Sequence, residues 1–447
     1  MSEPANPKRV HITTYGCQMN EYDSSRMAGL LAEMGYTPVE RPEEADLILL
    51  NTCSVRERAA HKVYSQVGAL KALKDRRPHL IIGVAGCLAQ QEGDRLLEHI
   101  PHLDMVVGTG ALQSLPQLVA DADQGRRRSH TPQPREYRWP PPRVNSGLKA
   151  LVTVMAGCDN FCTYCVVPYV RGRERSRPAG EIAQEVAALV ESGAREITLL
   201  GQNVNSYRDP RDGLDFPGLL ERLARTPGLW RLRFTTCHPK DLSPRLMEVM
   251  AGEETVMEGL HLPVQAGSDR VLAAMGRGYT RSQYLELVQR LRRVVPGVAL
   301  GGDMIVGFPG ESEEDFQQTL AIIDEVGYDF LYSFKYSDRP FTRARRLADK
   351  LSEEIKSRRL LELQERQRQR SLALHQEMVG QVAQVLVEGP AKKGTGLMSG
   401  RDRGGRAVNF PGGAELKGRL VRVEITQGLV NSLKGRLIQD PNKGVQS

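Results

Sequence analysis

Residues 150–165 read ALVTVMAGCDNFCTYC, a short apolar run that ends at a glycine and passes directly into Cys158, Cys162 and Cys165. The run is Val/Thr-rich and too short for an ordinary helix, so it predicts a strand, with the cysteines on the loop that leaves it. Further along the chain, similar runs recur as EITLLGQN (196–203), RLRFTTC (231–237), GLHLPVQ (259–265), LGGDMIVG (300–307) and FLYSFKYS (330–337). Helical patterns lie between them, among them 179–193, 243–252, 281–295 and 313–327. Six strand–helix units in one block predict a partial (β/α)6 barrel, whose chemistry belongs at the carboxyl ends of the strands. A long charged helical pattern (352–378) leads out of the block.

The spacing C-x-x-x-C-x-x-C offers three thiolates from one loop. Three thiolates can hold three irons of a [4Fe–4S] cluster and leave the fourth iron open to an exogenous ligand. Zinc would need a fourth ligand, and no His lies in the twenty residues after Cys165.

Before residue 122 the chain alternates in the same way. HITTYGC, DLILLNTC, LIIGVAGC and DMVVGTG read as strands with helical patterns between them, which predicts βαβ units and a parallel sheet. Cys17, Cys53 and Cys87 each close one of the first three runs. Carboxyl ends of neighbouring parallel strands converge on one edge, so these cysteines suggest a second cluster. Cys237 has no partner by spacing and reads as structural. Seven cysteines without a disulfide-like framework suit a reducing compartment.

Residues 125–146, GRRRSHTPQPREYRWPPPRVNS, carry 6 Lys/Arg against 1 acid and read as an extended basic linker. Residues 376–447 carry 11 Lys/Arg against 6 acids, with short strands, Gly-rich turns and no helical period. That pattern predicts a small antiparallel barrel, and the charge suggests a polyanionic partner, nucleic acid first. Without an apolar leader or a run long enough to span a bilayer, the expectation is a cytoplasmic protein with no membrane partner.

With these features together, the chain resembles the methylthiotransferases of the radical S-adenosylmethionine superfamily. The motifs that carry the resemblance are TYGCQMN, NTCSVRE, FCTYCVVPYVRGRERSRP, LLGQNVNSY, LHLPVQAGSD and DMIVGFPGE, spread from about Arg9 to Ile438. The resemblance implies four segments. They are an N-terminal domain with an auxiliary cluster (8–122), the linker (125–146), a radical core (147–376) and an OB-like TRAM domain (378–440). It also implies two [4Fe–4S] clusters, on Cys158, Cys162 and Cys165 and on Cys17, Cys53 and Cys87. S-adenosylmethionine would act both as radical source and as methyl donor, and an electron-donor protein would be a partner.

Cofactor contacts are expected from Tyr164 in the cysteine loop and from strand ends: Gly201, Gln202, Asn203, Gln265, Ser268, Asp303 and Gly307. Arg171, Arg173, Arg175 and Arg177 are expected to contact phosphate or cofactor. The loop from Gln202 to Asn205 and the pair Asp303–Met304 side with the branch that modifies carbon 2 of isopentenyladenosine in tRNA. The neighbouring branch acts on ribosomal protein S12, and a zinc-stabilised nucleic-acid-binding protein is the non-catalytic alternative. The chain departs from the family pattern at Cys237, at Phe341 (where Gly is expected) and at Gly404–Gly405. The last departure puts RNA contacts by that loop in doubt.

Overall fold

The computed structural model describes residues 7–54, 57–133 and 147–438. Its first sheet holds β1 (Arg9–Tyr15), β2 (Thr37–Pro38), β3 (Leu47–Thr52), β4 (Ile81–Gly86), β5 (Met105–Val107) and β6 (Arg128–His130). All are parallel, in the order β2-β1-β3-β4-β5-β6. β3 and β4 are buried along their whole length because helices cover both faces. Alternate residues go to opposite sides: Leu47 and Leu49 pack with Met27, Leu31 and Leu115, while Ile48 and Leu50 pack with Val63, Val67 and Leu96.

β6 corrects the linker reading. Arg128–His130 pair with β5 rather than running out as an extended connector. The arginine run before it is spent on anchoring: Arg126 and Arg128 both pair with the buried carboxylate of Asp121. Arg127 donates to the carbonyls of Leu97, Ile100 and Leu103. The remainder of the expected linker, 134–146, lies outside the described residues.

The central block contains β7 (Lys149–Thr153), β8 (Met155–Ala156), β9 (Arg175–Ser176), β10 (Glu196–Leu200), β11 (Arg231–Phe234), β12 (Gly259–His261), β13 (Ala299–Val306) and β14 (Phe330–Lys335). Six of these form two parallel three-stranded ladders, β7-β10-β11 and β12-β13-β14. A bridge between Leu232 and Val256 joins the two halves, and the Cys237 amide donates to the His261 carbonyl at 3.3 Å. Among the described residues no ladder joins β14 to β7, so the barrel is partial, as the strand count implied. Outward residues such as Leu232, Leu260 and Leu300 share one core with the surrounding helices. Asp303 meets His261 at 3.2 Å, and the His261 ring stacks on Phe330.

The apolar run that opens the block is split. After β7 the chain forms β8, which pairs antiparallel with β9, so the two ends of the cysteine loop are held together.

The last domain is a closed barrel of β15 (Val382–Pro390), β16 (Leu397–Arg401), β17 (Ala407–Pro411), β18 (Leu420–Gly428) and β19 (Leu433–Leu437), in the order β15-β16-β17-β19-β18. One pair, β17 with β19, is parallel, where the sequence suggested an antiparallel barrel throughout. A ring of five strands cannot alternate direction all the way round, so one parallel pair is unavoidable.

The turn Arg401–Arg406 of this domain forms the floor of the partial barrel. Buried Arg231 at the start of β11 donates to the carbonyls of Arg401 and Gln384. Arg403 pairs with Glu258 just before β12, and Arg406 pairs with Asp329 just before β14. A Cβ on Gly259 would collide with the Gly404 carbonyl, and one on Gly405 with the Arg233 guanidinium. Gly404–Gly405 thus serve close packing against the barrel, which accounts for that departure without reference to RNA. No helix among the described residues is long and apolar enough to cross a membrane.

Asp329 is buried, and its other oxygen accepts from the Leu300 amide. Replacing Arg406 by Ala strands that carboxylate and should cost about 3 kcal/mol. We expect a lower melting temperature, together with faster proteolytic release of the C-terminal barrel at the end of helix Glu353–Glu377.

Candidate functional site

The first triplet sits where strand register puts it. β1, β3 and β4 are adjacent, with Tyr15 opposite Thr52 and Thr52 opposite Gly86. Cys17, Cys53 and Cys87 lie just past those residues and so share one edge. Cys17 is exposed and precedes helix Gln18–Glu33, whereas Cys53 and Cys87 are buried.

An asparagine pair holds the loops beneath them. Asn20 donates to Asn51 Oδ1 and to the Thr52 carbonyl, and Asn51 donates back to the Asn20 carbonyl at 2.8 Å. A Cβ on Gly16 would strike Asn20, and one on Gly86 (φ +92°) would strike Asn51 and Thr52. A hydrogen bond with Cys53 draws the Cys17 thiol well below its ordinary pKa, and Arg171 assists against burial. Burial pushes the Cys87 thiol up, partly offset by Arg171.

The second triplet leaves β8. Gly157 has φ +80°, its amide donates to Gln202 Oε1 at 2.5 Å, and a Cβ there would collide with the Arg173 carbonyl. The Cys158 amide donates to the Gly172 carbonyl, and the Thr163 amide to the Met275 carbonyl. Burial raises the Cys158 thiol to about 11, and burial with the neighbouring Cys162 raises Cys165 to about 12. Sequence reasoning missed Arg277. Its buried guanidinium donates to Cys162 Sγ at 3.4 Å and to the Pro263 carbonyl at 2.8 Å. Nothing in the local run GRGYT marks it, because only tertiary packing brings the helix end Asp269–Met275 against the cysteine loop.

The segment that follows the second triplet packs against the first across a domain contact. Cys87 packs with Val166 and Val170, which follow Cys165 directly. Met19 and Tyr22 pack on Leu200 and Leu151. Arg171 and Asp23 form an ion pair at 2.7 Å, with side chains only 4% and 2% exposed.

The four expected arginines divide, which corrects their common reading as phosphate contacts. Arg171 is committed to Asp23, and Arg177 is buried against Glu185. Arg173 is exposed and pairs with Asp159, and Arg175 lies in β9.

Of the expected cofactor residues, Gly201, Gln202, Asn203, Gln265, Ser268 and Gly307 follow the carboxyl ends of barrel strands, whereas Asp303 lies within β13 and Tyr164 in the cysteine loop; several have structural duties. Gly201 packs on Met155, where a Cβ would not fit. Asn203 donates to Asp241 at 2.7 Å, and its own Oδ1 is buried without a partner among the described residues. Gln265 has φ +79° and exchanges backbone bonds with Asp303 and Ile305. Ser268 donates to Asp315 at 2.5 Å. The Gly307 amide donates to Glu311 at 2.6 Å, and a Cβ there would strike Lys356. The Tyr164 hydroxyl faces Arg277.

His238, on the loop after β11, was also missed. Burial, then the charges of Arg277 and Lys240, lowers it to about 2, and its Nε2 has no partner among the described residues. Buried orphan atoms on neighbouring strand ends are what a polar ligand would satisfy.

This donor set fits an iron–sulfur cluster: three thiols on a rigid loop, a cation on one of them and polar atoms left open nearby. Among the described residues no group of three or more His, Cys, Asp or Glu is arranged to hold a single metal ion. A cluster places each thiolate on its own iron and asks for wider spacing than one ion does.

Three family models match: the Uncharacterized protein family UPF0004 over residues 9–108, the Radical SAM superfamily over 152–323 and the TRAM domain over 376–438. The tRNA-2-methylthio-N(6)-dimethylallyladenosine synthase of Syntrophobacter fumaroxidans is 49% identical, over 98% of this chain and 97% of its own length. The chain belongs to that family. The synthases of Moorella thermoacetica and Geobacter metallireducens are 48% and 50% identical, each over 96% of this chain and 98% of their own.

Among solved structures, the radical S-adenosylmethionine methyltransferase TsrM from Kitasatospora setae superposes with a TM-score of 0.56. It is 15% identical and covers 76% of this chain and 74% of its own. The radical enzyme OxsB gives 0.52 at 12% identity, over 80% of this chain and 56% of its own. These two likenesses concern the fold. The chain is accordingly a radical S-adenosylmethionine protein that uses an iron–sulfur cluster.

Gly157→Ala tests the loop geometry. The added methyl meets backbone rather than a movable side chain, so the reconstituted variant should bind less iron than wild type while keeping its secondary structure. Iron content and circular dichroism report the two effects separately.

Proposed function

We propose that this protein methylthiolates carbon 2 of N(6)-isopentenyladenosine next to the anticodon of tRNA. Membership at nearly full length in a family of that activity carries the reading. The juxtaposition of two cysteine triplets across the Arg171–Asp23 contact supports it, since a sulfur-inserting enzyme needs a radical source beside a sulfur source. Cys158, Cys162 and Cys165 hold one [4Fe–4S] cluster, and Cys17, Cys53 and Cys87 hold the second. When bound, the first supplies the electron that cleaves S-adenosylmethionine to a hydrogen-abstracting radical, and the second supplies the sulfur that a further S-adenosylmethionine methylates.

The chain's own residues do the positioning. Arg277 places a positive charge on Cys162 and, through Pro263, ties the loop to the fourth barrel strand. Gln202 fixes the Gly157 amide. The open polar atoms of Asn203 and His238 face a ligand from adjacent strand ends, and neutral His238 offers a donor or acceptor without charge. Asn20 and Asn51 hold the second triplet's loops in register. The protein works in the cytoplasm and takes electrons from a separate donor protein.

The test is anaerobic incubation with S-adenosylmethionine, reductant and isopentenylated tRNA, followed by nucleoside mass spectrometry. A methylthio adduct on the tRNA is expected; an adduct on ribosomal protein S12 instead would refute the reading. Two variants separate the triplets. Cys158→Ala should abolish S-adenosylmethionine cleavage. Cys53→Ala should retain cleavage and transfer no sulfur, and full methylthiolation by Cys53→Ala would exclude the second cluster.

A further inference from the structure

Phe341 combines two unfavourable features. Its ring is 60% exposed, and its backbone holds φ +71°, a region where a Cβ is strained and glycine is at ease. A large apolar side chain that is both exposed and set on a strained backbone contributes little to the core, so its use must lie at the surface.

The surroundings specify that use. The loop after β14 is seated on the cysteine loop: the Ala344 amide donates to the Thr163 carbonyl at 2.8 Å, and buried Ala344 packs in the cluster that includes Tyr164. Thr342 is buried too, and its hydroxyl donates to the Arg339 carbonyl. With alternate residues pinned inward, Phe341, Arg343 and Arg345 turn outward, and Arg346 is exposed beside them. The Phe341 ring lies on Tyr169 at 5.9 Å, and Tyr169 meets Phe161 edge-on at 6.5 Å. Phe161 adjoins Cys162, so a row of three aromatic rings runs from the proposed radical cluster to the surface.

Phe341 and Arg345 also line a cleft of about 660 Å³ with Gln91, Glu92 and Arg95 of the N-terminal domain. Of the acids on this cleft, Asp338 accepts from Tyr336 and pairs with Lys350, and Glu92 accepts from the neutral Gln91 amide. Arg343, Arg345 and Arg346 make no ion pair among the described residues.

We propose that loop 340–346 is a contact for single-stranded RNA. One base stacks on the open face of Phe341, and the adjoining phosphates lie on Arg343, Arg345 and Arg346. An exposed ring set among arginines without carboxylate partners matches the two faces of a nucleotide, a π surface and an anion. A lipid or an apolar protein partner would ask for a wider apolar patch and fewer unpaired cations. The inference rests on the tRNA reading above and assigns within it the residues that hold the nucleotide beside the target adenosine.

The test uses the reconstituted full chain and an isopentenylated anticodon stem-loop RNA. Binding is followed by fluorescence anisotropy across a salt series, and stability by thermal melting. Phe341→Gly should weaken binding by about tenfold, and Phe341→Trp should restore it. The Phe341→Gly protein should melt no lower than wild type, because glycine relieves the strained backbone. Arg345→Ala should weaken binding and lower the slope of log affinity against log salt by about 0.7.

Equal RNA binding by wild type and Phe341→Gly overturns this inference alone. A Phe341→Gly protein that melts several degrees lower also overturns it, by making the ring a structural buttress. Wild-type protein that binds no RNA overturns the tRNA reading and this one with it.

Discussion

The ion pair between Arg171 and Asp23 joins two sites that strand order alone would leave apart. Asp23 rides on the helix Gln18–Glu33 that follows Cys17, and Arg171 lies six residues beyond Cys165. Their side chains are almost wholly buried at 2.7 Å, so separating the domains would strand two charges in an apolar contact. The same guanidinium acts on the Cys17 and Cys87 thiols, which makes it part of the electrostatics of the N-terminal triplet as well as a fastener. Around it, Val166 and Val170 press on Cys87, and Met19 and Tyr22 press on Leu200.

The partial barrel is completed by other parts of the chain. At the amino ends of the strands, the turn Arg401–Arg406 occupies the floor and satisfies Arg231, Glu258 and Asp329. At the carboxyl ends, the N-terminal domain covers the cysteine loop from one side, and the loop after β14 covers it from another. A closed eight-stranded barrel would need neither.

Much of this was legible in the sequence because hydrophobic period and cysteine spacing are local signals. The runs ending at Cys17, Cys53 and Cys87 are strands, and C-x-x-x-C-x-x-C falls on a loop after a strand. Charge was read less well. Arg126–Arg128 looked like a basic linker and instead anchor β6, while Arg171 and Arg177 looked like phosphate contacts and are buried in ion pairs. A guanidinium's role depends on which carboxylate it meets, and Asp23 is 148 residues from Arg171 in the chain. Arg277 and His238 escaped notice for the same reason, since each acts through contacts with distant segments.

The sequence by itself determined the fold types and the family, and it marked two sets of cysteines, one by C-x-x-x-C-x-x-C spacing and one by position at the ends of three strand-like runs, because periodicity and motif are local signals. Only the tertiary structure decided that the segment after Cys165 packs on Cys87, that Gly404–Gly405 pack the barrel floor, and that Phe341 stands exposed beside the cysteine loop. Those outcomes depend on burial and on pairings between segments far apart in the chain, and no local pattern encodes them.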